Sequence, residues 1–395
     1  MTIKNYFKTK QNSQKNKSYL LGLFSVVSTK KIKNVFFLGI KIYERIAIKN
    51  MESIILFGFL NFFTKKILQE NTCVQYEIFG YLKFKLNRQN YSTETALGNL
   101  LLQEALKSSR IEDILTSQRL CTSTINNEIL IKKLKEMQPF TFIPNPGNSG
   151  DLLIAKATFD FFDKNNLDYD IFDYVVKPQK NIVFGGGGIW IPNYKKTWSE
   201  RFIPILTEAN KVLILPSSFY NCHELLNIIN EHFIIFTRDN KSFEFIKNNS
   251  NKAEVILDHD MAFRLTKSII EEKISFFTPE MIEAINKAYS LKNKRTVYFM
   301  RTDTESSSKL KTDLDLSKIF ESTYPTREES TFSTKLMLAT INRFDEIYTD
   351  RLHVAIAASL LGKRVHMIDN SYGKLSGVYT QSMSHLDHVS MEKNG

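Results

Sequence analysis

The chain has 395 residues, 43% hydrophobic and 24% charged, the balance of a soluble globular protein long enough for two or three domains. Its net charge of +11 is concentrated at one end: residues 1–90 hold 16 Lys and Arg against 4 Asp and Glu, while the rest hold 37 against 38. Three cysteines, Cys73, Cys121 and Cys222, form no CxxC pair, which excludes a disulfide framework and a cysteine zinc site and suits a reducing cytoplasm.

Residues 1–18 are rich in Lys, Asn and Gln and are expected to be disordered. The apolar run at 19–27 follows a basic stretch, but no small-x-small cleavage site follows it, so export is not expected. The longest uncharged apolar run, residues 53–64, is far shorter than the roughly twenty residues of a spanning helix, and no transmembrane helix is predicted. Between residues 33 and 87 an aromatic–Gly–aromatic pattern with Lys or Arg occurs three times, around Gly39, Gly58 and Gly80. Each Gly marks a kink, bulge or tight turn between two short strands. The mixture of aromatic and basic residues suits an anionic membrane surface, and equally a small β-rich core or a subunit contact. An oligomer therefore stays open.

From Ser92 to Met137 the apolar spacing turns helical, with helices expected at 93–106 and 126–137. Residues 140–144 read as a strand, 145–151 as a Gly-containing loop and 152–162 as a helix. Such a loop can hold an anion at the helix N-terminus, with Asn148 and Asp151 beside it; the alternative is a plain turn with Asp151 as N-cap. No Gly-Lys-Ser/Thr follows, so this is not a Walker A loop. A strand at 181–184 runs into four glycines, where Gly186 and Gly187 would let a ligand approach the backbone closely. The strand at 212–215 ends at Ser217 and Ser218, candidate hydroxyl contacts. The strand at 233–236 leads to Arg238 and Asp239. Arg238 either binds a carboxylate or phosphate, or caps the next helix together with Asp239. Asp258 and Asp260 make a D-x-D at a strand end, which is not read as a metal site. Helices are expected over 264–292, a strand over 295–300 ending at Arg301, and a polar loop over 304–333.

The most informative stretch is the last. A strand at 346–349 is followed by Arg351 and His353 at a strand-to-helix junction, where an extended segment would point both side chains to one side. A small apolar helix then runs to Gly362, a second strand covers 365–369, and a turn presents Tyr372 and Lys374. Open α/β sheets bind ligands at such strand ends. Two cations and an imidazole around one loop system suit a small multiply charged anion; solvated element ends and a capping histidine are the alternatives.

The run Thr349-Asp350-Arg351-Leu352-His353, with Leu361-Gly362-Lys363 and Asp369-Asn370-Ser371-Tyr372-Gly373-Lys374, resembles the polysaccharide pyruvyltransferase family. Its members move pyruvate from phosphoenolpyruvate onto a sugar diol as a ketal. Asn148-Ser149-Gly150-Asp151, the glycine run, Arg238-Asp239 with Ser242, and residues 255–263 also fit, although a Gln often stands where Ser217 is. The resemblance covers residues 138–390 and leaves 1–137 unexplained. It implies His353 and Arg351 as catalytic groups and Arg351, Arg301, Arg238 and Lys374 as an anion clamp. Phosphoenolpyruvate would be the donor substrate, with no cofactor and no metal. The acceptor would be a glycan of a bacterial surface polysaccharide or lipooligosaccharide, lipid-linked at the cytoplasmic membrane face; nucleic acid is not expected as a partner. Alternating strands and helices predict an α/β fold of two Rossmann-like domains facing a cleft, 138–290 and 291–395, behind a basic N-terminal region with a helical linker at 1–137. That layout is similar to the GT-B architecture. Two rival readings share it: a GT-B nucleotide-sugar glycosyltransferase, and a non-catalytic, membrane-associated glycan-binding scaffold.

Overall fold

A computed structural model describes residues 127–172, 178, 180–292, 294–303, 310–369 and 373–392, with the backbone of eight strands between 15 and 87 and helical residues at 98, 99 and 102. The chain forms two compact units, Met1–Ala96 and Leu97–Gly395.

The first unit is an antiparallel meander of β1 (Lys15–Tyr19), β2 (Phe24–Ser28), β3 (Ile32–Phe37), β4 (Ile40–Ile48), β5 (Met51–Leu56), β6 (Leu60–Leu68), β7 (Cys73–Ile78) and β8 (Leu82–Asn87). Each strand pairs with its sequence neighbours. The repeated glycines Gly39, Gly58 and Gly80 fall between β3 and β4, β5 and β6, and β7 and β8, so each copy of the repeat is one hairpin. The pair β1–β2 encloses a fourth glycine, Gly22, which is flanked by leucines rather than aromatics and so escapes the sequence pattern. Strand β1 also corrects the expectation of disorder over 15–18; residues 1–14 lie outside the described residues.

The second unit is α/β. Its larger sheet is entirely parallel, in the order β11 (Tyr169–Ile171), β9 (Phe140–Ile143), β12 (Asn181–Phe184), β14 (Lys211–Phe219), β15 (Phe233–Thr237), β16 (Glu254–Leu257), with β13 (Gly187–Trp190) paired to β14. Every residue of β9 is buried, as expected of a strand covered on both faces. Successive strands run outward from β9 in opposite directions, which makes β9 and β12 a topological switch point whose loops diverge and leave a crevice. The smaller sheet is also parallel: β17 (Thr296–Phe299), β19 (Glu346–Thr349), β20 (Arg364–Ile368), β21 (Val389–Glu392). It alternates. Val297, Phe299, Ile347, Val365 and Met367 are buried, while Tyr298, Tyr348 and His366 stack across the other face.

Seven helices matter here: α1 (Glu128–Met137), α2 (Ser149–Lys164), α3 (Asn240–Asn249), α4 (Pro279–Tyr289), α5 (Arg327–Asn342), α6 (Leu352–Leu360) and α7 (Lys374–Val378). Helix α2 starts with a capping box. Asn148 accepts from the Gly150 N–H, and Asp151 accepts from the Asn148 N–H. Such a cap contributes about 1 kcal/mol. Thr326 and Glu329 form the same device on α5. Helix α5 begins inside the stretch expected to be a loop; its Thr-x-x-Glu start was hidden by polar composition. Helices α2 and α5 pack together between the two sheets. One hydrophobic core therefore joins Phe142, Phe159 and Phe162 to Phe332, Ile347 and Val354. A second cluster, around Trp190, Trp198 and Phe202, covers the opposite face of the larger sheet. A two-residue antiparallel pairing of β10 (Gly147–Asn148) with β18 (Glu321–Ser322) clasps the loop after β9 to the chain ahead of α5.

Candidate functional site

A cavity of about 530 Å3 lies at the carboxyl ends of both sheets. Gly147, Asn148, Asp151 and Gly188 line it from the switch point of the larger sheet. Arg301, Asp303, Arg351 and His353 line it from the ends of β17 and β19. Tyr194, Arg201, Lys318 and Glu321 complete the wall.

The end of β19 is shaped by its own polar residues. Thr349 Oγ1 donates to the Phe299 carbonyl (2.7 Å) and accepts the Arg351 N–H (3.0 Å). Buried Asp350 accepts the Arg301 N–H (2.6 Å). These bonds tie the ends of two adjacent parallel strands together, so Arg301 and Arg351 enter the same cavity. Arg351 is the N-cap of α6, and His353 already lies in the first helical turn. The two side chains therefore meet the cavity from a helix start, which corrects the extended segment expected from sequence.

Both arginines carry carboxylates. Asp315 takes Nε and Nη2 of Arg351 at 2.9 and 2.6 Å. Asp303 bridges the two guanidinium groups, accepting from Arg351 Nη2 at 2.9 Å and from Arg301 Nε and Nη2 at 2.8 and 3.2 Å. Lys318 approaches Asp303 at 3.8 Å. Arg351 Nη1 is the guanidinium nitrogen that neither Asp303 nor Asp315 engages.

Behind His353 sits a fully buried ion pair. Arg238 Nη1 donates to Asp260 Oδ2 at 2.5 Å, and Arg238 Nε donates to Ser218 Oγ at 2.9 Å. His353 Nε2 lies 3.4 Å from Arg238 Nη1 and 3.5 Å from Asp260 Oδ2. Burial pushes the Asp260 acid upward, but Arg238 first and His353 next outweigh it and hold the carboxyl well below the usual range. On its other side the His353 ring rests against Gly150, where a β-carbon would stand 2.9 Å from its Cγ and nearer still to Nδ1.

Arg351, Arg301, His353, Asn148 and Asp151 thus come together around one cavity. Other expected contacts do not line it. Arg238 is fully buried and faces Asp260 and Ser218. Ser217 donates to the Leu215 carbonyl, and Ser218 is held between Arg238 and Asp239. Gly186 and Gly187 are buried because the protein's own atoms pack on them, backbone at the first and side chains at the second. A β-carbon on Gly186 would come within 2.7 Å of the Pro216 carbonyl oxygen; one on Gly187 would meet Asn145 at 3.0 Å. In that glycine run it is Gly188 that faces the cavity. Tyr372 lies outside the described residues, and so does the side chain of Lys374, the first residue of α7. The sequence reading missed Asp303, Asp315, Gly150 and the role of Asp260. The only sequence signals were the cation-x-anion spacing of Arg301 and Asp303 and the D-x-D already noted. Among the described residues no group of three or more His, Cys, Asp or Glu could hold a metal ion. No helix among them is long and apolar enough to cross a membrane.

Fold and cavity together define an α/β protein with an arginine- and carboxylate-lined pocket at its strand ends, shared by two parallel sheets. Residues 148–372 match the family described as polysaccharide pyruvyl transferase, more than half of the chain, and the chain belongs to that family of transferases. It is 26% identical over 291 residues to a Bacillus subtilis (strain 168) protein named provisionally as the pyruvyl transferase EpsO; the match spans 64% of this chain and 88% of that protein. It is also similar to a crystal structure of a functionally uncharacterized Klebsiella pneumoniae subsp. pneumoniae NTUH-K2044 protein, KP1_0663. There the TM-score is 0.55 and the identity 31%, over 67% of this chain and 96% of that one.

Proposed function

We propose that the cavity takes phosphoenolpyruvate as donor and transfers its pyruvyl group to two hydroxyls of a surface-glycan sugar. The observation that carries this reading is the pairing of Arg301 and Arg351 at adjacent strand ends, with His353 in the same cavity. The guanidinium groups suit a carboxylate and a phosphate. His353 donates a proton to the donor methylene, and C2 becomes electrophilic. A first sugar hydroxyl adds to C2 and loses its proton. The C2–O bond to phosphate breaks and releases inorganic phosphate. The second hydroxyl then closes the ketal and loses its proton in turn. General acid catalysis of this kind is worth roughly 10²–10⁴-fold. In this reading the two parallel sheets are the halves of a GT-B-like pair, and the cavity is larger than the donor needs, which leaves room for a sugar.

The same reading sets the enzyme at the cytoplasmic membrane face. The first unit is strongly basic, and residues 1–90 carry a net +12. Such charge attracts anionic lipid and is screened by salt. Binding to anionic vesicles should weaken as salt rises; indifference to vesicles at low salt would leave the meander as a subunit contact.

The test is calorimetric titration of the full chain with phosphoenolpyruvate and with nucleotide sugars, followed by mass spectrometry of diol-bearing glycans after reaction. Phosphoenolpyruvate binding and a glycan heavier by one pyruvate less one water are expected. Nucleotide-sugar binding without phosphoenolpyruvate binding would overturn the assignment in favour of a glycosyltransferase.

A further inference from the structure

We infer that Asp260 is a positioning residue for His353: its buried carboxylate holds Arg238 and offsets its charge where both face imidazole Nε2. Nε2 looks onto two fully buried groups, Arg238 at 3.4 Å and Asp260 at 3.5 Å. Alone, a guanidinium at that distance would oppose a proton on the ring. Asp260 cancels it through the 2.5 Å bond to Arg238 Nη1 and supplies an acceptor for Nε2–H. Asp260 is itself rigid, because its Oδ1 accepts the Ala262 N–H at 2.8 Å. Nδ1 lies on the side of the first turn of α2, whose Asn148 and Asp151 line the cavity. Contacts of this kind are often long without substrate and tighten with it.

The other charged groups around the ring do not replace this pair. Asp151 comes from the first turn of α2, Arg351 from the ring's own junction, and Arg301 with Asp303 from across the cavity. Arg351 and Arg301 are already partnered by Asp303, and Arg351 by Asp315 as well. The buried pair is therefore what holds the inward edge of the imidazole. Sequence could not show this: two of the four strands of the smaller sheet lie between Asp260 and His353, and the D-x-D spacing points elsewhere.

The inference rests on the reading of His353 as proton donor, but its test follows the ring itself. The probe is NMR titration of the full chain with isotope-labelled histidine, with His353 assigned by loss of its signal in His353→Gln. Asp260→Asn should move the His353 titration toward lower pH, and Arg238→Gln should move it the other way. The double variant should return it toward the wild-type value, and its paired amides guard against misfolding of either single variant. In turnover, the alkaline limb of the kcat profile should move to lower pH in Asp260→Asn. Reduced turnover with an unmoved His353 titration would make the pair merely structural and overturn the inference. The same holds if Asp260→Asn fails to fold and the titration is unmoved in Arg238→Gln. Opposite shifts in the two single variants, in a protein that transfers no pyruvyl group, would uphold it while defeating the donor assignment.

Discussion

Gly150→Ala separates the position of the His353 ring from the stability of the fold. Gly150 is the second residue of α2, and alanine is favoured over glycine inside a helix by about 0.5–1 kcal/mol. The new methyl would stand 2.9 Å from His353 Cγ and 3.0 Å from its Cβ, against roughly 3.5–4 Å for an ordinary contact. The ring must then yield by up to about 1 Å, since backbone at both sites is fixed within helices. Repacking of this sort costs about 1–3 kcal/mol, which the helix gain partly offsets. The melting temperature should therefore move by only a few degrees. A reacting group displaced by about 1 Å loses roughly 10²-fold in rate. The assay is phosphoenolpyruvate-dependent phosphate release with a diol acceptor, beside calorimetric melting of the same preparation. Wild-type turnover in a folded Gly150→Ala protein would refute both the ring's placement against α2 and its part in the chemistry.

Arg351→Lys is the informative change at the clamp. Arg351→Ala would leave buried Asp315 without its counter-charge and with only its Thr302 hydrogen bonds, at up to about 3–5 kcal/mol of stability. Lysine keeps the charge but loses the fork, so the phosphoenolpyruvate dissociation constant should rise by about 10- to 100-fold in calorimetry; an unchanged value removes Arg351 from the clamp. Asp303→Asn should act in the opposite direction. Its carboxylate occupies both guanidinium groups, so neutralising it should tighten donor binding about tenfold, or 1.4 kcal/mol, and weaker binding would instead make Asp303 an organiser of the clamp. Burial pushes the Cys222 thiol up to about 12, so Cys222 should stay unmodified by iodoacetamide at pH 8 in the native protein and react after unfolding, as followed by peptide mass spectrometry.

The parts of the site legible in the sequence were those that one local pattern carries. The strand at 346–349, the helix after it and Gly362, which adopts a left-handed φ of 63°, all follow from spacing and a single helix stop. Arg301 and Arg351 were legible because strand ends of parallel sheets converge on one side. What sequence cannot tell is which side of a strand end faces the cavity. Arg238, Ser217 and Ser218 stand at such ends and turn inward, since β14 and β15 lie beyond the switch point. The glycine run was legible as close approach, but the approaching groups are the protein's own: the Pro216 carbonyl at Gly186 and the Asn145 side chain at Gly187. The helix start at Thr326 was local and was missed for its polarity, whereas the partners of Asp260 depend on the tertiary fold alone.

The core that α2 and α5 share has a kinetic consequence. Two halves held by Phe142, Phe159 and Phe162 on one side and Phe332 and Ile347 on the other cannot part without exposing those rings to water. A microsecond-to-millisecond parting of the two sheets is therefore disfavoured. Capture of phosphoenolpyruvate, the proposed donor, should then be set by diffusion and by what field Arg301, Arg351 and Lys318 keep beyond Asp303 and Asp315, and any such steering should weaken as ionic strength rises.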